Sequence, residues 1–521
     1  MTRHVLAWIA PVLVGVVAFA AAWSAMLPGL GYWDTAELQA VAPLMGTAHP
    51  TGYPTYVLLG WLANLVLTPL GEPAFRMNVF AGLSVAVAAG VTTDLARTLT
   101  RSTPLGVLAG LGMALTPAVW EIGTRAEAHA LHLALLAILL RVLVGWDAAR
   151  RRADIVGPVE ARPDRWLLAA SMVFGLSVGN HSLTLLMALP VGLFVLAVEP
   201  GILRRPRFIA ACALVLFGTI ALVFLELPLR AGPFQSALVY GRPATWDGFW
   251  YIVLAQQFQG SFVDPLADWA GRTAGLVERA IDQFGILAAF IPAGLVTAAF
   301  VVPRYALLTG TAMAITLTFA LTYENAEIWR YYLGPILIAW TWIAILVKAL
   351  IDAVLAIRQP APADDPDAAP DSGPRLATGL AVVATVVLLV PTVFALPYRH
   401  ELVDASRETD ARRWVDAALD VMDEDAVVVS WWSYSTPLWY AQRVEGQRPD
   451  IRIVDDRTRL DEDLGDIYDV IDANLPSRPV YVIRDDPLEI QALAERYELE
   501  PILGSTARQL MRVVGPLDGG G

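Results

Sequence analysis

The sequence predicts a polytopic α-helical membrane protein that ends in a small α/β domain. Hydrophobic residues make up 56% of the 521 residues and charged residues only 17%, whereas soluble domains are about one-quarter charged. The mean hydropathy is +0.53, and the apolar residues come in runs of about 18 or more, the length that crosses a bilayer. After Tyr398 the runs stop, and short apolar segments alternate with polar ones.

Arginine clusters indicate which ends of the spans face the cytoplasm, because cytoplasmic loops are enriched in positive charge. Arg3 predicts a cytoplasmic N-terminus, and the first apolar run, which continues to Leu27, is long enough to be a retained anchor. Arg150 to Arg152 mark the loop 147–165 as cytoplasmic. About eleven spans agree with this pattern. Nine single spans are predicted at residues 5–27, 76–96, 104–120, 130–146, 208–227, 285–302, 305–322, 331–350 and 376–396. Residues 166–198 are predicted to form the other two, as short helices that meet at Gly179.

Several segments of the membrane domain, residues 1–397, are predicted to lie outside the spans. The loop 28–75 and the segment 228–284 are expected on the external side, and residues 53–70 within that loop form a surface helix too short to span. Residues 359–374 are rich in proline, alanine and aspartate, which predicts a flexible cytoplasmic linker.

The tail, residues 398–521, is predicted to be a separate soluble domain on the external side, without an active site of its own. Residues 426–429, 451–454 and 480–483 are typical of short buried strands, and the polar helical stretches between them favour a mainly parallel sheet. About half of the 50 acidic residues lie in this tail, so the net charge of −13 is a property of the tail more than of the whole chain. It indicates no nucleic-acid partner. Aromatic residues at 431–434 are expected to face the membrane domain or an acceptor.

The stretch 31–54 has the composition of a site. Asp34 and Glu37 are three residues apart, a spacing that puts both on one face of a helix. His49 follows, within a proline-rich and glycine-rich turn. An ordinary polar loop between membrane helices has a similar composition, so these residues alone leave both interpretations open.

Further polar residues gather at the predicted external ends of the spans, where they would form one outward-facing cavity. Simpler roles are open for some of them: Arg230 could reach the bilayer interface, Arg330 could belong to an aromatic belt, and His181 could be a buried structural histidine. The candidate cavity residues are Tyr53, Arg76, Asn78, Arg125, Glu127, His129, Asn180, His181, Arg230 and Arg330.

Several of these motifs together resemble one family. D-T-A-E-L from Asp34, G-T-A-H-P-T-G-Y-P from Gly46 and F-R-M-N from Phe75 are similar to the bacterial DUF2723 family, which is related to the TMEM260 type of protein O-mannosyltransferase and assigned to the GT-C class of membrane glycosyltransferases. The family form H-P-P-G-Y-P has Thr51 in place of its second proline here. Similar segments follow at residues 127–132, 179–181, 227–231 and 437–450.

The resemblance implies a GT-C-like fold and transfer of a sugar from a polyprenyl-phosphate donor to an acceptor hydroxyl on the external face. A carboxylate can serve as the base for the hydroxyl, and arginine suits a phosphate leaving group. Asp34 is the predicted base, with Glu37 as its orienting partner or alternate. His49, Arg76, Arg230 and Arg330 are the predicted phosphate ligands.

Other functions and a metal stay open at this point. Asp34, Glu37 and Glu127 could hold a divalent cation, although no spacing requires one, and His129 with His132 lacks a third ligand for zinc. A lipid or polysaccharide transporter would explain the many spans, but it predicts charges along their depth. A non-catalytic membrane scaffold would leave Asp34 and Glu37 without a purpose. A mannose-like donor with a protein or glycan acceptor is suggested by analogy with the eukaryotic relatives and not by the residues themselves.

Overall fold

The computed structural model describes residues 2–264, 267–358, 373–503 and 509–517. A helical part runs to residue 403 and a domain with one five-stranded sheet follows. Residues 359–372 of the predicted linker lie outside the described residues. The helices of the first part are α1 (Thr2–Ser24), α2 (Trp33–Leu44), α3 (Pro54–Val66), α4 (Pro73–Thr100), α5 (Thr103–Ala114), α6 (Pro117–Glu121), α7 (Ala128–Val156), α8 (Pro158–Ala161), α9 (Pro163–Asn180), α10 (Ala188–Val198), α11 (Pro206–Phe224), α12 (Glu226–Ala231), α13 (Trp246–Val253), α14 (Trp269–Phe284), α15 (Phe290–Val301), α16 (Pro303–Leu321), α17 (Leu333–Arg358) and α18 (Gly373–Val403).

Proline starts many of these helices. It is the first residue of α3, α4, α11 and α16. At this position its missing N–H is no loss, because the first N–H groups of a helix have no partner within the helix, and its fixed φ already suits the helix. The starts of these helices are therefore encoded locally.

Seven helical stretches of the described residues are long and apolar enough to cross a membrane. Shorter apolar helices at 8–24, 54–66, 103–114 and 182–198 accompany them. The polytopic helical class is confirmed, whereas the count of eleven spans stays a prediction. The seven stretches are Pro73–Thr100, Ala128–Val156, Pro206–Ala231, Trp269–Val301, Pro303–Leu321, Ile328–Ile357 and Pro374–Val403.

The helical stretch Trp269–Val301 extends across the predicted boundary between the external segment and the next span. Helix α14 ends at Phe284, and a 3-10 helix at Gly285–Ala289 leads into α15, so the helix geometry changes at residue 285, where the sequence predicts the span to begin. The boundary itself stays a prediction. Helix α14 carries Arg272 and Arg279 among its apolar residues. An amphipathic helix can keep them on one face, so the charges do not end the helix.

The helical part has a packed centre and an exposed periphery. Helix α4 packs against α1, α5 and α7, and α7 packs against α9. In the apolar window of Ala128–Val156, 83% of the residues are buried, against 11% in that of Pro206–Ala231. The outer helices therefore expose apolar surface, as expected for helices that face lipid.

The C-terminal part contains the small sheet domain that the sequence predicts. The strand order is β2-β1-β3-β5-β4, with β1 parallel to both β2 and β3 and with β5 antiparallel to β3 and β4. The first three strands coincide with the predicted ones. The elements are α19 (Asp410–Val421), β1 (Val427–Val429), α20 (Trp432–Trp439), β2 (Arg452–Val454), α21 (Asp456–Asp461), α22 (Ile467–Asn474), β3 (Val480–Arg484), α23 (Pro487–Ala494), β4 (Tyr497–Leu503) and β5 (Gln509–Pro516).

The two faces of this sheet have different partners, because successive side chains of a strand point to opposite sides. Val427 and Val429 pack with Ile471 of α22. Val428 belongs to a second cluster, which also contains Ala36 and Ala40 of α2. The domain therefore shares its core with the helix that carries Asp34 and Glu37.

Candidate active site

Helix α2 presents its two carboxylates to different surroundings. Asp34 lies in the first turn and Glu37 follows three residues later, so both project from one side of the helix. Glu37 is only 2% exposed. The Asp34 side chain is 32% exposed and borders a large cavity. Asp34 is therefore the carboxylate of this pair that a substrate can reach.

Glu37 is bound to His49. Its carboxylate accepts a hydrogen bond of 2.8 Å from the His49 backbone N–H and contacts the ring at Nδ1. The Tyr53 hydroxyl lies 3.0 Å from Nε2, on the other side of the ring. Burial disfavours the charged ring, but the Glu37 and Asp34 carboxylates outweigh it and raise the pKa of His49 to about 9. The ring is thus protonated at neutral pH and brings a positive charge to the cavity wall.

Arg330 links carboxylates from three parts of the chain. Its guanidinium lies 3.4 Å from Asp34, 3.3 Å from Glu127 and 3.5 Å from Glu327. Glu127 caps α7 by accepting from the His129 backbone N–H at 3.1 Å, and it also lies 2.8 Å from ring Nδ1 of His129. Although burial acts in the opposite direction, Arg330 and His129 lower the pKa of Glu127 to about 2.

A cavity of about 620 Å³ between the helical part and the C-terminal domain is bordered by Asp34, His49 and Arg330, whereas Glu37 and Glu127 lie behind its wall. Six of the predicted site residues line it: Asp34, His49, Tyr53, His129, His181 and Arg330. Further parts of the wall come from the segment 228–284, from the residues before α17 and from the C-terminal domain. The last of these contributes Trp431, Trp432, Asp455, Asp456 and Arg457.

Two of the predicted phosphate ligands lie elsewhere. The Arg230 guanidinium donates to the carbonyl oxygens of Met45 at 2.7 Å and Leu44 at 3.0 Å. It therefore satisfies carbonyls at the C-terminal end of α2, which have no partner within the helix. Arg76 donates to the carbonyl of Gly71 at 2.7 Å. Neither guanidinium borders the cavity, so both arginines hold the scaffold.

Three other predicted cavity residues are also engaged in the scaffold. Asn78 donates to the Leu27 carbonyl at 2.9 Å and accepts from the Ala126 N–H at 2.8 Å, which ties the first loop to α4. Asn180 donates to the Ala128 carbonyl at 3.0 Å. Arg125 lies 4.0 Å from Glu408. None of the three borders the cavity; they position the loops that do.

Two residues of the C-terminal domain that are not among the predicted site residues contact this region. The Trp432 indole N–H donates to Asp34 at 3.1 Å. The Arg457 guanidinium lies over the rings of Tyr240 at 5.0 Å and Tyr251 at 4.5 Å. The sequence does indicate a contact for Trp432, because the aromatic residues at 431–434 are expected to face the membrane domain or an acceptor. Arg457 lies in an ordinary polar stretch, and nothing in the sequence indicates that it lines the cavity.

A metal site is not evident in the part of the chain that the structure describes. No group of three or more His, Cys, Asp or Glu side chains in it is arranged to hold a metal ion. The three carboxylates considered for a cation, Asp34, Glu37 and Glu127, each lie against a basic partner instead.

Comparisons with known proteins agree with this architecture. Residues 34–200 match the family model described as the protein O-mannosyl-transferase TMEM260 N-terminal domain. Protein O-mannosyl-transferase TMEM260 of Mus musculus is 28% identical over 232 residues, which are 43% of this chain and 30% of the mouse protein. The match thus spans less than a third of that relative.

Solved structures show the fold. ArnT from Cupriavidus metallidurans bound to undecaprenyl phosphate superposes with a TM-score of 0.57 at 15% identity, over 96% of this chain and 97% of that chain. The Archaeoglobus fulgidus oligosaccharyltransferase tethered to an acceptor peptide gives 0.54 at 14% identity, over 98% and 74%. The chain is a multi-pass membrane protein with the GT-C fold, and its residues 34–200 are similar to the TMEM260 N-terminal domain.

Proposed function

We propose that this TMEM260-like chain is a membrane glycosyltransferase that moves a sugar from a polyprenyl-phosphate donor to an acceptor hydroxyl on the external face. The observation that carries the proposal is the cavity in which the accessible Asp34 carboxylate lies 3.4 Å from Arg330. A base and a cation side by side are what transfer from a phosphate leaving group requires. The undecaprenyl phosphate bound to the ArnT structure of the same fold supports a lipid-linked donor.

In the proposed reaction the acceptor oxygen attacks the anomeric carbon of the donor sugar. A bond forms between these two atoms while the bond from the carbon to the phosphate oxygen breaks, and polyprenyl phosphate leaves. Asp34 takes the proton of the acceptor hydroxyl. Arg330 and the protonated His49 offset the negative charge that the phosphate gains.

An apolar groove whose wall includes the residues directly before Arg330 and directly after Tyr331 suits the lipid part of such a donor. It has a volume of about 750 Å³, and Phe284, Ile286 and Ile336 are among its lining residues. Trp329 and Tyr332 also line it, and both are close in sequence to Arg330, which borders the cavity. A phosphate held by Arg330 would therefore leave an isoprenoid chain next to a surface that can bury it.

The test is transfer by purified protein in lipid nanodiscs with polyprenyl-phosphate sugars as donors. Asp34→Asn should bind the donor normally, because the base contacts the acceptor, and turnover should fall by roughly two to four orders of magnitude. Asp456→Asn is the matched control, since Asp456 is another carboxylate on the cavity wall and should keep turnover within a few-fold. Near-normal transfer by a folded Asp34→Asn protein would remove Asp34 from the chemistry.

The external location of the cavity is tested separately by thiol labelling in intact cells. In a Cys212→Ala background, we expect an impermeant maleimide to label Asp463→Cys in the C-terminal domain and to spare Val159→Cys in the predicted cytoplasmic loop. Both positions suit the experiment because Asp463 and Val159 are each 86% exposed. The reverse labelling pattern would place the cavity on the cytoplasmic face.

A further inference from the structure

Trp432 lies where the C-terminal domain meets the cavity, at the start of α20. Its indole N–H donates to Oδ1 of Asp34 at 3.1 Å. The other carboxylate oxygen, Oδ2, lies 3.4 Å from Arg330. Each oxygen of Asp34 therefore has its own partner, one from the C-terminal domain and one from the helical part, and together the two partners define how the carboxylate is turned.

The Trp432 ring is held in place from several sides. The rings of His49, Tyr240 and Trp439 pack nearly perpendicular to it, with centroid distances of 5.7, 5.5 and 5.7 Å. The helix that carries it is tied to α2, since the Thr436 hydroxyl donates to the Trp33 carbonyl at 2.9 Å. The indole and the carboxylate are thus fixed to the same rigid unit, and the hydrogen bond between them is preorganised.

The adjacent Trp431 provides an internal contrast. It lines the same cavity, and its ring packs on Trp33 at a centroid distance of 5.0 Å. Its indole nitrogen is buried without a hydrogen-bond partner among the described residues. Two neighbouring tryptophans therefore share residue type and cavity, but only one of them donates to Asp34.

We propose that Trp432 is a positioning residue for glycosyl transfer, and that its N–H holds the Asp34 carboxylate in the orientation in which Asp34 accepts the proton of the acceptor hydroxyl. The inference rests on the proposed function, because it acts through the base of that reaction. An indole donates one hydrogen bond and accepts none, so it can orient a carboxylate without competing for the proton. The C-terminal domain is then a required part of the active site.

The experiment compares Trp432→Phe with Trp431→Phe in the transfer assay. Phenylalanine keeps an aromatic ring and removes only the N–H donor and part of the ring area. Trp432→Phe should lower kcat by roughly tenfold to a hundredfold, the loss expected for a hydrogen bond to a charged group, with little change in the KM for the donor. Trp431→Phe should lower kcat less than Trp432→Phe does, because the Trp431 N–H has no hydrogen-bond partner to lose.

A second replacement covers the case in which Trp432→Phe does not fold. Incorporation of benzothienylalanine at position 432 keeps the two-ring shape and replaces N–H by sulfur, so it should lower kcat as Trp432→Phe does. An unchanged kcat, an equal loss in both tryptophan variants, or a raised donor KM with normal kcat would each overturn the inference. A wild-type chain that transfers no sugar would instead contradict the proposed function itself.

Discussion

Two buried glutamate–histidine pairs in this region have nearly the same local geometry but different neighbours. Glu37 accepts from the backbone N–H of His49 at 2.8 Å, and Glu127 accepts from that of His129 at 3.1 Å. In each pair the carboxylate also contacts ring Nδ1. By residue type and local geometry the two pairs are nearly the same.

The difference lies in a third residue. Arg330 approaches Glu127 to 3.3 Å, and with His129 it lowers the pKa of Glu127 to about 2 against the effect of burial. Among the described residues, Glu37 forms an ion pair with His49 only, and burial raises its pKa. The comparison teaches that a Glu–His pair does not set its own charge: Glu127 is an ionised anchor for an arginine, whereas Glu37 supports a protonated His49.

The largest expected effect comes from removing the arginine that distinguishes the pairs. Arg330→Ala leaves Glu127 and Asp34 without their cation, and breaking a buried ion pair in this way costs about 3 to 5 kcal/mol. Transfer should be lost, while Arg330→Lys should recover part of the stability but little of the activity, because lysine lacks the planar fork. Thermal unfolding in detergent and the transfer assay measure both. Near-normal stability of Arg330→Ala would mean that Arg330 does not stabilise the ionised Glu127, and the two pairs would then not differ in this respect.

A pH series should separate the two pairs. The folded pKa of His49 is about 9 against an ordinary 6.5, so its contribution is complete below pH 6.5 and is lost as the pH rises through 9, in total about 3 kcal/mol. The pKa of Glu127 is lowered from 4.5 to about 2, so its contribution is complete above pH 4.5 and is lost as the pH falls towards 2. The readout is the midpoint of thermal unfolding from pH 2 to 10.

His49→Gln is the control for this series. It should flatten the alkaline side of the stability profile, because no group of raised pKa remains at position 49, and it should leave the acidic side unchanged. A wild-type profile without an alkaline decline, or a decline that persists in His49→Gln, would contradict the charge assigned to the Glu37–His49 pair.

The smallest expected effect concerns the end of α2. Arg230→Ala removes two hydrogen bonds to the carbonyls of Leu44 and Met45 and should cost about 1 to 2 kcal/mol of stability. It should disturb the Glu37–His49 pair, because α2 and the turn after it carry both residues, and spare the Glu127–His129 pair. Donor KM should change little. A donor KM raised tenfold or more, with stability intact, would restore the phosphate-binding role that the sequence predicts for Arg230.

The fold class could be predicted from the sequence because it depends on local properties. Long apolar runs predict the membrane class, and the strands at Val427–Val429, Arg452–Val454 and Val480–Arg484 are short segments rich in valine and isoleucine. The two later strands were missed. Tyr497–Leu503 contains two glutamates and a proline, which are uncommon in strands, and pairing with the following strand overrides that preference.

The candidate site was predicted less completely, for a different reason. Motif residues such as Asp34, His49 and Arg330 do border the cavity, but motif residues such as Asn78 and Arg230 instead bind backbone groups of the scaffold. A sequence pattern marks a polar residue as important without indicating whether its partner is a substrate or a neighbouring carbonyl. That choice depends on where the side chain points after the helices pack.

The sequence by itself determined that this chain crosses a membrane many times, starts many helices at proline, places Asp34 and Glu37 on one side of a helix and ends in a small sheet domain. Each of these features arises from composition or from residues only a few positions apart. The tertiary structure alone decided that Arg330 and Trp432 share Asp34, across 296 and 398 residues of chain. A hydrogen bond requires its atoms within about 3 Å of each other, and only the packed fold brings such distant residues that close.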